Sequence, residues 1–407
     1  MTTVAKPLIL LVGTGMRDYR QYLLESISPH YRLHLLSPSA PTWEPPYLSG
    51  ATQVPDLADV DALTVAGKAV EDVAGVLCWD EALILPAAHL AAALGAPRPG
   101  VAAVAACRDK HATRSALAAA GVPQPESVLV GSLEEALAAA GGIGYPVVLK
   151  PRALAASLGV VRADGPADVE RHFAFARDTT VPGAPSYEVS VLVEQYADGP
   201  EISVDSVVHD GVLTPVVLAR KEVGYEPYFE ELGHIVDGAD PLLADEGLRA
   251  VLQHAHDAIG LRDGFTHTEL RLTADAPLVI EINARLGGGL IPHLGTLATG
   301  VDPGPAAAAA ACGLPPEVAR DRSRVAGIRF FYADAEDTTV ASIAFDAEAL
   351  PPAIAEAVTL VKPGAVVSPP PRGTTFGRLA FAIAVAQTAA ECRAALDGAG
   401  AALRVTT

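Results

Sequence analysis

The 407-residue sequence predicts a mixed α/β and α+β protein that opens on a doubly wound domain. Three observations lead there. Residues 7 to 36 read as strand (Pro7 to Val12), glycine turn (Gly13-Thr14-Gly15), helix (about Asp18 to Ile27) and second strand (Tyr31 to Leu36), a β-α-β unit. From Ser190 to Ala219 the chain alternates apolar and polar residues in successive short runs, the pattern of an antiparallel sheet. Thr266 to Thr273 and Leu278 to Asn283 alternate in the same way around Thr-Ala-Asp-Ala-Pro, which reads as a β-hairpin.

Composition bounds what the protein does. Half the residues are hydrophobic, yet no apolar run approaches the roughly 18 residues needed to span a bilayer, which excludes a membrane span. The N-terminal apolar run is too short for a signal peptide and leads into a glycine turn, so the expected location is cytoplasmic. Cys78, Cys107, Cys312 and Cys392 are too widely spaced for a zinc site or a disulfide framework. A net charge of -19 argues against nucleic acid as a partner. The chain has only six lysines, among them Lys110, Lys150 and Lys221, in a sequence that otherwise uses Arg. An ammonium is a compact charge that a guanidinium does not copy.

In chain order, Gly13 and Gly15 suggest a dinucleotide turn, but position 18 is Asp where the third glycine would stand. A strand-to-helix turn lining a cleft is the better reading. Val73 to Trp79 is a buried strand and Asp80 to Leu94 a helix ending at Gly95. Arg108-Asp109-Lys110 opens a helix through Ala120, and Ser127 to Val130 is a strand. Ser132 caps the next helix, with Glu135 at the capping-box position. Gly144 to Pro151 is a β-run ending in Lys150, followed by the small-residue loop Ala153 to Gly159. A lysine there can reach phosphates that the loop amides cover, or simply snorkel from a strand end. Glu222 to Gly238 reads as a loop long enough to cover a site, with Glu230, Glu231 and His234 as candidate substrate contacts. Leu242 to Ile259 is a helix, an Ala-rich helix ends at Gly313, and Phe376 to Val405 closes the chain as strand, helix, strand.

The hairpin carries the chemistry. Glu281 and Asn283 are two apart and share a face, Ile280 and Ile282 take the other, and folding about Asp275 sets Glu269 opposite. Two carboxylates and an amide oxygen form a hard donor set suited to Mg²⁺. Arg285, at the strand end, can hold a phosphate or a developing negative charge. Taken alone, E-x-N also fits an edge hairpin with solvated acids.

Cys107-Arg108-Asp109-Lys110, Tyr145 to Pro151, Val193-Glu194-Gln195-Tyr196 with Glu201 beyond it, His267-Thr268-Glu269 and Glu281-Ile282-Asn283-Ala284-Arg285 occur in that order. The series resembles the ATP-grasp superfamily, and within it the L-amino-acid (dipeptide) ligases. The resemblance covers essentially the whole chain. It implies an ATP-grasp fold behind a Rossmann-like pre-ATP-grasp domain at 1–107, with a lid subdomain at 108–192, a large subdomain at 193–320 and a C-terminal α+β subdomain at 321–407. It implies that Lys110, Lys150 and Ser157 meet the nucleotide phosphates. Gln195 and Ala197 would read the adenine edge through their backbones, with Glu194 beside it and Glu201 on the ribose. Glu269, Glu281 and Asn283 would hold two Mg²⁺ ions, with Mn²⁺ able to substitute. Arg285 would stabilise the transferred phosphoryl group, and Glu231, His234 and Gly288 would face the substrates. His234 would help take the incoming ammonium's proton. The phosphate-covering loop departs from the family in having Ala155-Ala156-Ser157-Leu158-Gly159, with few hydroxyls. Gly289 leaves the pocket without a bulky side chain, so larger substrates would fit.

The expected function is an ATP-dependent, ADP-forming ligase that joins a carboxylate to an amine through an acyl phosphate. The expected partners are two small molecules besides ATP, and a homodimer on family grounds alone. An ATP-grasp carboxylase or purine-pathway-type ligase using bicarbonate or formate, and a non-catalytic ATP-binding regulator, stand as alternatives.

Overall fold

The computed structural model describes residues 5–97, 99–181 and 184–407; the first four residues of the N-terminal stretch lie outside that range. Three sheets organise the chain. The first is parallel, in the order Gly50–Gln53, Arg32–Ser37, Leu8–Val12, Val73–Leu77. Its inner strand Leu8–Val12 is buried throughout, as the unbroken apolar run dictates for a strand covered on both faces. Gly13 and Gly15 take φ values of +67° and +80°, which only glycine adopts cheaply, and turn the chain into the helix Arg17–Ile27.

The second sheet has four antiparallel strands in the order Ser127–Val130, Val191–Gln195, Val147–Pro151, Val161–Ala163. The helices Leu133–Ile143 and Pro166–Asp178 pack on it. They enclose a core of its own, in which Ala136, Val147, Leu149, Phe173 and Val193 meet. The strand Val191–Gln195 runs across the expected boundary at 192–193 and pairs wholly within this sheet.

The third sheet is the backbone of the molecule. Eight antiparallel strands run in the order Pro277–Asn283, Gly264–Leu272, Glu201–His209, Val212–Gly224, Glu230–Asp237, Val325–Tyr332, Arg378–Ala386, Ile354–Thr359. Two layers cover it. On one side lie Leu248, Leu252 and Ala255 of the helix Glu246–Ala258 together with Leu117. On the other, the helices Ile291–Thr299 and Pro303–Ala311 fill the space between this sheet and the parallel one.

Two sequence readings change here. Glu222 to Gly238 is not a covering loop. The strand Val212–Gly224 continues past Lys221, and Glu230–Asp237 returns beside it, with Lys221 opposite His234. The Gly, Tyr, Phe and acidic residues that suggest a loop are shared between the turn and the two strands; the strand on the far side is held by Val325–Tyr332, some ninety residues on. The helices Pro166–Asp178 and Ile291–Thr299 and the short strands between 338 and 367 are further elements that the sequence patterns above do not mark. Among the described residues no helix is long and apolar enough to cross a membrane.

Candidate active site

One cavity of about 520 Å³ opens where the three sheets meet. Lys110, Lys150, Ser157, Glu194, Gln195, Ala197, Glu201, Glu231, Glu269, Glu281, Asn283, Arg285 and Gly288 all line it, although they come from elements spread over 179 positions. His234 does not. Its ring is fully buried behind the wall, with Nε2 2.8 Å from the Gly289 carbonyl and Nδ1 3.2 Å from Glu231 Oε1. From there it orients Glu231 and the glycine turn, and a direct contact with substrate is sterically closed to it.

The hairpin sets the register of the oxygen donors. Glu269 pairs with Glu281 and His267 with Asn283. Just beyond the Glu269–Glu281 pair, at Ile280, the second strand carries an extra residue, because Leu270 pairs with Val279. This bulge corrects the expected alternation: Ile280 and Glu281 both face the cavity, while Val279 and Ile282 are buried in the core. A bulge re-aims side chains at the cost of local pairing, and bulges gather next to functional sites for that reason.

Cations surround these carboxylates. Lys110 Nζ donates to Glu281 Oε1 at 3.0 Å and to the Leu154 carbonyl at 2.6 Å. Lys221, nine residues beyond the strand start in Val212–Gly224, donates to Glu269 and lies 3.5 Å from Glu201 and 3.7 Å from Glu231. Burial would lower its pKa, but Glu269, Glu231 and Glu201 together raise it, so it stays charged. His267 Nδ1 lies 2.6 Å from the buried Asp205, and its Nε2 3.4 Å from Glu269. Asp205 Oδ2 also accepts the Gly287 amide at 3.2 Å and so ties the glycine turn to the sheet.

Glu81, from the turn before the helix Ile84–Leu94, completes the far wall. It pairs with Arg285, and with Arg108 at 2.5 Å. Burial works to raise its pKa, yet Arg285 and Arg108 hold it at about 2. One end of the Asn283 amide sits 3.2 Å from Glu81 and 3.3 Å from Glu281. As nitrogen it donates to both; as oxygen it makes a three-oxygen cluster that only a cation reconciles. The donor set is compatible with a hard divalent ion, while among the described residues no group of three or more His, Cys, Asp or Glu is placed to hold a metal by itself.

At the other end of the cavity Glu194 lines the wall and is buried, 3% accessible. Arg114 Nε donates to it at 2.7 Å, Lys150 Nζ at 2.6 Å and Ser127 Oγ at 3.2 Å. Arg114 reaches further, donating to the carbonyls of Val279 at 2.7 Å and Ile280 at 2.8 Å. This one guanidinium thus joins the helix Lys110–Ala120, the four-stranded sheet and the bulged hairpin. Burial pushes Lys150 down to about 8, against the pull of Glu194. Glu201 faces Arg271 at 2.8 Å, and burial raises its pKa.

The loop Ala153 to Gly159 is a turn in which Leu154, Ala156 and Ser157 take positive φ of 81°, 56° and 54°. Non-glycine residues there cost of order 1–3 kcal/mol each and cluster where a backbone must present its amides. Gly289, at φ +57°, is closed to a side chain: a Cβ would meet His234 Cε1 at 2.8 Å. The open position is Gly288, where a Cβ would meet nothing within 4 Å. The pocket-narrowing position is therefore Gly288 and not Gly289. Sequence reading missed Glu81, Arg114, Asp205 and Arg378. Only Arg114 left a local signal, since Lys110, Thr113, Arg114 and Leu117 recur at helical spacing and are all buried.

An ATP-grasp domain signature matches residues 143–293, which contain most of this cavity's wall. Phosphoribosylamine–glycine ligase of Streptomyces coelicolor is 31% identical over 69% of this chain and 67% of its own. The chain belongs to the ATP-grasp family, whose enzymes use ATP with Mg²⁺. Within the family it is similar to the alanine–anticapsin ligase of Bacillus subtilis, 30% identical over 58% of this chain, a match spanning about half that relative's length (52%). The L-amino acid ligase of Bacillus licheniformis shares the fold with a TM-score of 0.81 at 22% identity, over 99% of both chains.

Proposed function

We propose that the protein is an ADP-forming carboxylate–amine ligase that makes an amide bond between a carboxylate and an amino acid or other amine. The observation that carries this reading is the register of Glu269 with Glu281 and of His267 with Asn283 beside Lys110 and Arg285, within one cavity. In this reading Lys110, Lys150 and the Ala153 to Gly159 backbone hold the nucleotide phosphates, Gln195 and Ala197 the adenine, and Glu201 the ribose. Glu269, Glu281 and Asn283 hold two Mg²⁺ ions, which neutralise phosphate charge when bound.

A carboxylate oxygen of the acid substrate attacks the γ-phosphorus as the bond to the β-phosphate oxygen breaks, giving an acyl phosphate and ADP. The amine nitrogen then attacks the acyl carbon, the bond to the phosphate oxygen breaks, and the proton from the nitrogen passes to the departing phosphate. Arg285 faces the phosphoryl group in both steps. Glu231 lies well below the usual carboxylate range, because His234, Lys221 and Arg378 outweigh burial. So acidic a group docks an ammonium and makes a poor base. A four-unit division at about 107, 195 and 320, with the strand Val191–Gln195 kept in the second unit, a cytoplasmic location and a homodimer belong to the same proposal.

The test is ADP and phosphate release from ATP and Mg²⁺ across pairs of amino acids, with mass spectrometry of the products. Release that needs both and yields the condensed mass supports the ligase. Release that needs bicarbonate or formate instead transfers the site to the carboxylase or purine-type reading.

A further inference from the structure

Among the described residues, seven lysines and arginines line the cavity, and six of them are held by carboxylates. Lys110 has Glu281 at 3.0 Å, Lys150 has Glu194 at 2.6 Å, and Lys221 sits among Glu269, Glu201 and Glu231. Arg271 lies 2.8 Å from Glu201, Arg285 against Glu81, and Arg378 3.7 Å from Glu231. Arg20 is the exception. Among the described residues its guanidinium has no carboxylate oxygen within 4.0 Å, and its polar neighbour is the Tyr22 hydroxyl.

Its position is built. Arg20 is the fourth residue of the helix Arg17–Ile27, and its side chain runs back over the glycine turn, so that a Cβ at Gly15 would stand 3.5 Å from Arg20 Cγ. Helical side chains lean toward the N-terminus in this way. The turn beneath is fixed: Thr14 donates to the buried Glu44 at 2.8 Å, and Trp79 Nε1 donates to the Thr14 carbonyl at 2.9 Å. Asp80, the acid on that wall, accepts the Ala82 amide instead. Burial and the like charge of Arg285 both act against the Arg20 cation, and Tyr22 and Asp80 only partly offset them. A half-buried guanidinium beside another guanidinium is costly unless an anion joins it.

That anion has a place in the reaction. The reacting carboxylate is consumed where Arg285 and the Glu269, Glu281 and Asn283 set converge. A carboxylate that does not react keeps its charge throughout and needs a permanent partner. Resting on the ligase reading of this same site, we propose that Arg20 receives the spectator carboxylate of the amine substrate, which is therefore a free amino acid and not a simple amine or an amide.

The experiment titrates the MgADP-loaded protein calorimetrically with proteinogenic L-amino acids and their α-amides. At least one free acid binds roughly tenfold or more tightly than its amide, the value of a charge-assisted pair. Arg20→Met removes the difference, Arg20→Lys keeps part of it, and both variants retain MgADP affinity. Equal binding of acid and amide, an unchanged ratio in Arg20→Met, or no saturable binding of any acid overturns the assignment. The two readings separate when ADP release is measured alongside. Acid-selective binding that Arg20→Met abolishes, with no ADP release from any pair, keeps Arg20's role and sinks the ligase. ADP release supported equally by acid and amide keeps the ligase and sinks Arg20's role.

Discussion

At the scale of single residues the site is a set of charges that cancel in pairs, and each pair makes a distinct prediction. Glu281→Ala removes an oxygen donor that also holds Lys110. ADP formation should fall by about 10²–10³-fold with the melting temperature little changed; full turnover in that variant would refute the metal assignment. Arg114→Met leaves Glu194 buried with Lys150 as its remaining ionic partner and frees the Val279 and Ile280 carbonyls. Breaking one partner of a buried pair costs about 3–5 kcal/mol, which a denaturant titration would read directly; a loss under about 1 kcal/mol, the range of an exposed pair, would rule out that role. Lys150 gives a pH signature. Its pKa near 8 in the nucleotide-free protein lies below the ordinary 10.5, so the charge that attracts phosphate disappears as pH rises above about 8. Because phosphate binding favours the protonated form, the dissociation constant for MgADP should then rise by up to about tenfold per pH unit, and Lys150→Arg should flatten the rise. A flat wild-type profile would remove Lys150 from the phosphate site. Most of these acids and bases were legible as motifs. The pairs were not, since Glu81 and Arg285 are 204 positions apart and sequence spacing carries no record of that contact.

At the scale of elements, alternation identified the hairpin and the direction of Glu281 and Asn283, because burial on one face constrains residue type at every second position. It failed at Ile280, where a bulge inserts one residue and leaves the composition unchanged. It failed again at 222–238, where polar and aromatic residues line a cavity and so look solvated. The glycine turn after the hairpin separates its two positions cleanly. Gly288→Ala should fold normally and weaken binding of the bulkier substrates, because its Cβ enters open space. Gly289→Ala meets His234 and a left-handed backbone, and should cost about 1–3 kcal/mol of stability. Thermal melts of the two variants decide it, and equal losses would contradict the geometry.

At the scale of the whole molecule, two buried carboxylates on different walls share one behaviour. Burial works to raise both Glu81 and Glu194, but their arginine and lysine partners hold each at about 2, below the ordinary 4.5. The stability they contribute is present above pH 4.5 and drains away as pH falls toward 2, about 3 kcal/mol for each at most. The melting temperature should therefore drop steeply across that window, less so in Glu81→Gln; a level profile would show that the pairs contribute nothing. The fold class and the opening β-α-β unit were readable because they rest on local periodicity. That the chain beyond residue 320 supplies three strands to the same eight-stranded sheet was not, because such pairing is decided by distant partners.

Gly75 has the Ala311 carbonyl oxygen 2.4 Å from where a side chain would begin, so the parallel sheet and the alanine-rich helix touch backbone to backbone. Two parts fitted that closely have no slack to slide or tilt. The four-stranded sheet encloses a core of its own and meets the rest through discrete links, Arg114 to the bulged hairpin, Arg152 to Asp109 and the Arg162 amide to the Pro227 carbonyl, so it is the jaw of the machine and the remainder its anvil.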